Sequence, residues 1–96
     1  MILYINTSNN TNTIVGLDDK RLEKATGPDK SQQVLLLIDQ ILKDNKRILS
    51  DLTEIEVAIG PGSFTGLRVG VAVANALAWA LNISVNGEKM VEPKYE

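Results

Sequence analysis

The sequence opens with Ile2-Leu3-Tyr4-Ile5, a run apolar enough for a buried strand. It then breaks into Asn6-Thr7-Ser8-Asn9-Asn10-Thr11-Asn12, polar side chains that favour turns. Thr13 to Leu17 predicts a second strand, Asp18-Asp19 a tight turn, and Lys20 to Ala25 a third strand, so the chain starts as a β-meander. Thr26-Gly27-Pro28-Asp29 supplies breakers ahead of a helix, with Asp29 or Ser31 as its cap. At ~100° per residue, Val34, Leu35, Leu37, Ile38, Ile41 and Leu42 fall in one wide arc that suits the cover of a sheet. Leu36 lies outside that arc, beside Gln40 and Lys43. After a connection with a capped turn at Leu49-Ser50-Asp51-Leu52, Thr53 to Ile59 alternates and then turns wholly apolar, as a strand does on entering the middle of a sheet.

A second helix follows, and its pattern is unusual. Between Val69 and Leu81 the only polar side chain is Asn75. Laid on one sheet, such a helix leaves much of its circumference apolar and wet, so it calls for cover on more than one side. Gly66, Gly70, Ala74 and Ala78 recur every four positions, a line along which another backbone can approach closely. Val73, Leu77 and Leu81 form an adjacent bulky ridge, and Arg68, Ala72, Asn75 and Trp79 the remaining seam. Two readings fit: cover by the chain's own sheet and first helix, with Trp79 as rim packing, or cover by a partner. A chain of 96 residues has little material to wrap a helix all round. Tryptophan and arginine are favoured interface anchors, so the partner surface is the preferred reading, extended by Leu36 and Gln40 on the first helix.

Strand and helix are joined by Gly60-Pro61-Gly62-Ser63-Phe64-Thr65-Gly66. The glycines allow positive φ or close approach, Pro61 fixes one φ, and Ser63 or Thr65 can cap the helix. A helix N-terminus of this kind can hold an anion. A phosphate-binding P-loop, however, needs Lys and then Ser or Thr after its last glycine, where this chain has Leu67-Arg68. A structural turn is the preferred reading, and the polar run after the first strand is likewise read as ordinary turn chemistry. The chain closes with Ile83-Ser84-Val85, an Asn86-Gly87 hairpin signal, Lys89-Met90-Val91 and a polar, proline-broken tail.

Composition narrows the chemistry. Hydrophobic residues make up 44% and charged residues 23%, ordinary for a globular domain, and the length suits one domain. The formal net charge of −2 gives no overall attraction for nucleic acid, and the cations are expected to be scattered. With no cysteine or histidine, thiol catalysis, imidazole acid–base chemistry and zinc sites on those ligands are excluded. No metal site and no cofactor are expected. The start lacks a signal-peptide pattern, and the apolar stretch from Val69 to Leu81 falls short of the ~20 residues of a membrane span, so a cytoplasmic location and no membrane contact are expected.

The glycine turn, continued through Leu67-Arg68-Val69-Gly70, placed after Val57-Ala58-Ile59 and before an alanine-rich helix, closely resembles the signature of the bacterial TsaB (YeaZ) family. The resemblance extends to the first strand with Asn6-Thr7-Ser8, where the family has Asp-Thr-Ser, and to Ser31-Gln32, and covers residues 1 to about 85. It implies an α/β fold, half of the ASKHA (actin-like, Hsp70-like ATPase) fold, with a mixed sheet and two main helices. It also implies a non-catalytic role in making N6-threonylcarbamoyladenosine at position 37 of tRNAs that read codons beginning with A. The family pairs with the catalytic homologue TsaD through its two helices, with the ATPase TsaE in the larger assembly and tRNA reached only through the complex. Alone, the chain is expected to pair with itself. Asn6 in place of Asp weakens any ATP-binding claim, and a lone half lacks one wall of the nucleotide cleft. The alternative is a small nucleotide-binding ASKHA-type protein with its own weak ATP site. Val85 to Glu96 does not continue into the family's C-terminal domain, so the chain is expected to be a one-domain version or a shortened piece, and its hairpin and polar tail favour an intended ending.

Overall fold

A computed structural model describes residues 1–9, 11–26 and 31–94, except the side chain of Ser31. The expected caps Asp29 and Ser31 therefore lie outside what is described.

Alternation along the first strand sets the two faces of the sheet. In β1 (Ile2–Asn6), Leu3 and Ile5 are fully buried while Ile2, Tyr4 and Asn6 are half-exposed on the opposite face. β2 (Asn12–Leu17) runs antiparallel to β1 and pairs Leu17 with Leu3 and Val15 with Ile5, so the apolar set stays on one side. β3 (Lys20–Ala25) pairs antiparallel with β2 as a charged edge, with only Leu22 half-buried, an arrangement that discourages edge pairing. Asp18, in the turn between β2 and β3, sits at φ 54 and accepts a bond from the Ile2 amide through its side chain at 2.9 Å.

After α1 (Ser31–Asp44) and a 3-10 turn at Leu49–Asp51, β4 (Glu54–Val57) returns parallel to β1, bringing Ile55 beside Leu3 and Val57 beside Ile5. The predicted strand to Ile59 thus ends two residues early. α2 (Phe64–Leu81) follows, and β5 (Ser84–Val85) pairs parallel with β4, giving the strand order β3-β2-β1-β4-β5. On the apolar face α1 packs over β2, α2 over β4, β1 and β5, and the two helices touch. The opposite face carries Tyr4, Ile14, Arg21 and Glu23, with the Arg21 guanidinium 4.9 Å from the centre of the Tyr4 ring.

Two expectations need correction. Leu35, placed in the buried arc of helix one, is 54% exposed. Its angle lies at the end of the arc beyond Leu42, and the sheet reaches only Val34, Leu37, Ile38, Ile41 and Leu42. The second helix is also longer than its apolar stretch, with 18 residues. By length and composition alone α2 is apolar enough to cross a membrane, so the argument from a short stretch fails. Its Gly66, Leu67, Gly70, Val71, Ala74 and Ala78 are buried on the sheet, while its opposite face is exposed.

Candidate functional site

Ser63, not Thr65, caps α2. Its Oγ accepts from the Gly66 amide at 3.3 Å, and its carbonyl accepts from Leu67 N at 2.9 Å, while Thr65 is exposed in the first turn. The turn is fastened to the loop after β1 by a bond from Ser63 N to the Ser8 carbonyl at 2.9 Å. Gly60 stands at φ 143, and a Cβ there would fall on the Lys94 carbonyl, so glycine is required on both counts.

The polar groups of the first loop are spent on the fold. Asn6 Oδ1 accepts from Ser8 N at 3.0 Å and Ser8 Oγ at 2.7 Å, and Asn6 Nδ2 donates to the Tyr4 hydroxyl at 3.0 Å. Thr7, with no solvent exposure, donates its hydroxyl to the Gly66 carbonyl at 2.5 Å.

That last bond explains the small-residue line. A Cβ on Gly70 would fall on Thr7 Oγ1, Gly66 carries the accepting carbonyl, and Ala74 and Ala78 are 0% and 1% exposed. The line of close approach exists, but what approaches it is the chain's own fold, since α2 packs on β4, β1 and β5 and Thr7 sits against Gly70. Gly66, Gly70, Ala74 and Ala78 are therefore not available on the surface of this chain. Val73 and Leu77 are half-buried against the core at the edge of the same face.

The outward face of α2 carries Phe64, Arg68, Ala72, Ala76 and Trp79, with Trp79 85% exposed. The Arg68 guanidinium lies 5.4 Å from the centre of the Phe64 ring. Thr65, Arg68, Val69, Ala72 and Val73 line a shallow groove at the N-terminal half of this face. Leu36, 60% exposed, and Gln40 are also on the surface, on α1. Lys43, 2.9 Å from Asp39 one turn back, has its ammonium held above its usual range by that hydrogen bond and the carboxylate's charge, but both side chains are solvent-exposed and build no site. Among the described residues no group of three or more His, Cys, Asp or Glu side chains gathers.

Two features escape the pattern of the sequence. The Asn86-Gly87 hairpin forms, with φ 51 and 79, but it closes on the single bridge between Val85 and Glu88, so Lys89 to Val91 is not a strand. Instead Asn75, expected in the seam with Arg68, Ala72 and Trp79, donates from Nδ2 to the Val91 carbonyl at 2.9 Å and accepts from Val91 N at 3.0 Å. Asn86 does the same to Val57, at 2.8 and 3.0 Å, continuing the edge of β4 with a side-chain amide where a strand would run. The segment then reaches Ile59, whose carbonyl accepts from Lys94 N at 2.5 Å. Phe64 and Met90 are exposed apolar residues that the predicted surface does not include, as are Ile48 and Leu49. Met90 had a signal in its alternation with Val91, which is buried while Met90 is 64% exposed.

Residues 24–91 match the model of the TsaD family, tRNA N6-adenosine threonylcarbamoyltransferase. The chain is 38% identical over 95 residues to the tRNA threonylcarbamoyladenosine biosynthesis protein TsaB of Bacillus subtilis (strain 168), covering 95% of this chain and 42% of that protein. The chain belongs to this family, on its TsaB (YeaZ) branch. YeaZ from Pseudomonas aeruginosa superposes with a TM-score of 0.76 at 26% identity, over 88% of this chain and 41% of that one. The tRNA N6-adenosine threonylcarbamoyltransferase of Vesicomyosocius okutanii is 44% identical over 55 residues, 57% of this chain and 16% of that protein. The five-stranded mixed sheet with two helices is the α/β half of an ASKHA fold. The chain spans about two-fifths of the TsaB and YeaZ relatives it matches, 42% and 41%. The likeness does not stop near residue 85, as the turn signature suggested, since the family model reaches Val91.

Proposed function

We propose that this TsaB-type chain is a non-catalytic partner subunit in the synthesis of N6-threonylcarbamoyladenosine in tRNA. It binds a TsaD-like catalytic subunit through the outer face of α2 with Leu36 and Gln40 of α1. It acts in the cytoplasm, reaches tRNA only through the complex, and works beside a TsaE-like ATPase. Alone, the same face pairs two copies, since a self-complementary helix surface forms an isologous contact.

The observation that carries this reading is the apolar outer face of α2, with Trp79 85% exposed beside Ala72 and Ala76. Small residues at i and i+4 let a second helix approach closely, and a large aromatic at the end of the stripe supplies an anchor. The TsaD model matches this chain itself across α1 and α2, so the proposed partner is built on the same helix pair and can meet it like to like. The interface is narrower than the pattern of small residues suggested, because Gly66, Gly70, Ala74 and Ala78 are turned to the sheet.

Ala72→Glu tests the reading, because it puts a charge on the outer face without touching the core. By titration calorimetry against TsaD from the same source, the variant is expected to lose binding while its thermal midpoint stays that of the wild type. Equal binding by the two proteins would sink the proposal.

A further inference from the structure

We infer that Asn86 is a deamidation site, held unreactive in the folded chain by its own clamp on β4, and that its conversion unfastens the end of that strand. Deamidation needs no partner and no cofactor, only water.

Asn86 is the only asparagine of the chain that a glycine follows. In such a pair the backbone nitrogen of the glycine, once it yields its proton to solvent base, attacks the asparagine Cγ. The new C–N bond closes a succinimide ring, the Cγ–Nδ2 bond breaks, and ammonia leaves. Water then opens the ring at either carbonyl and gives an aspartyl or an isoaspartyl residue. Water is consumed and ammonia released, with nothing oxidised or reduced.

The fold leaves the nucleophile open and ties the electrophile. Gly87 is exposed at φ 79, and even an added Cβ there would meet no atom within 4 Å. The hydrogen bonds that close the turn run between Val85 and Glu88 and do not use the Gly87 amide. Asn86, by contrast, is held at three atoms. Its Oδ1 accepts from Val57 N at 2.8 Å, its Nδ2 donates to the Val57 carbonyl at 3.0 Å, and its backbone N donates to the Ile55 carbonyl at 2.8 Å. The side-chain amide is thus turned onto β4, and it cannot swing onto the Gly87 nitrogen without giving up both bonds to Val57. Reaction therefore proceeds through local opening of this edge, and its rate measures how often the edge opens.

Conversion alters the edge for good. A carboxylate only accepts, so the Val57 carbonyl loses its donor and meets a negative charge instead. An isoaspartyl link also adds a methylene to the main chain and displaces the backbone bond to Ile55. Both products leave the Val57 carbonyl unpaired at a sheet edge, just ahead of the glycine turn.

The test incubates the full chain in mildly alkaline buffer, folded and in denaturing guanidinium, and follows each asparagine by peptide mapping with mass spectrometry. In the unfolded chain Asn86 is expected to convert before any other asparagine. In the folded chain it is expected to convert more slowly by about tenfold or more, the factor that two hydrogen bonds of ordinary net strength supply. Wild-type protein aged until Asn86 has converted, and the variant Asn86→Asp, are both expected to unfold at a lower denaturant concentration than fresh protein. Should Asn86→Asp fail to fold, the aged wild type carries that comparison. Equal rates at Asn86 in the folded and unfolded chain, another asparagine converting first in the unfolded chain, or converted protein as stable as fresh protein would each overturn the inference. None of these outcomes bears on the binding of TsaD.

Discussion

Thr7 joins two stretches that lie far apart in the chain. Its hydroxyl is buried and donates to the carbonyl of Gly66, and its side chain occupies the space a Cβ on Gly70 would need. Thr7→Val keeps the shape and removes the donor, leaving a buried carbonyl with one partner fewer. The expected loss is about 1–3 kcal/mol of unfolding free energy in a urea titration, the range for an orphaned buried polar group. No loss would mean that the Gly66 carbonyl finds another donor. Asn6, Ser8 and Ser63 follow the same logic, each committed to a neighbour within the two turns. Single residues of this kind were poorly legible in the sequence. Asn, Thr and Ser announce a turn through their chemistry, but which of them reaches across to α2 depends on a strand register that no local pattern encodes.

At the scale of the element, α2 has two apolar sides with different duties. The inner side is small so that the sheet can come close, and the outer side holds Phe64, Ala72, Ala76 and Trp79 in solvent. Periodicity detected both sides, because a helix with one polar residue from Val69 to Leu81 cannot rest on a single surface. It could not say which side met the sheet, since a glycine and alanine line suits a strand pair as well as a foreign helix. Stability separates the two duties. Gly70→Ala is expected to cost about 1–3 kcal/mol through overpacking against Thr7. Ala76→Ser, on the outer side, is expected to stay within about 0.5 kcal/mol of the wild type. Equal effects in a chemical denaturation series would mean the faces are assigned the wrong way round. The strand pattern was read with similar success. The meander and β4 were legible from alternation, whereas β5 is short because Asn86 replaces backbone pairing with a side-chain amide, a substitution invisible to any periodicity.

For the whole molecule, the sheet order and helix placement give one face covered by α1 and α2 and a set of apolar residues beyond what the core uses. Leu35, Leu36, Phe64, Trp79 and Met90 are all exposed on or beside the helices. Scattered exposed leucines need no explanation, but Phe64 and Trp79 at the two ends of one outward helix face, with exposed alanines between them, do. The glycine turn carried the family, and the fold followed from it. The surface that the proposed function uses had to be read from burial, because sequence alone mistook the inner line for the outer one.

The central claim is that the outer face of α2 is covered by a TsaD-type subunit. Light scattering on the chain mixed with TsaD from the same source, compared with Trp79→Ala, tests it most directly. The wild type is expected to travel with TsaD as one complex, and Trp79→Ala to weaken that association by ~2 kcal/mol, about thirtyfold, as loss of a buried aromatic anchor does. Separate migration of the wild-type chain and TsaD, or a Trp79→Ala variant that associates as well as the wild type, would contradict the account.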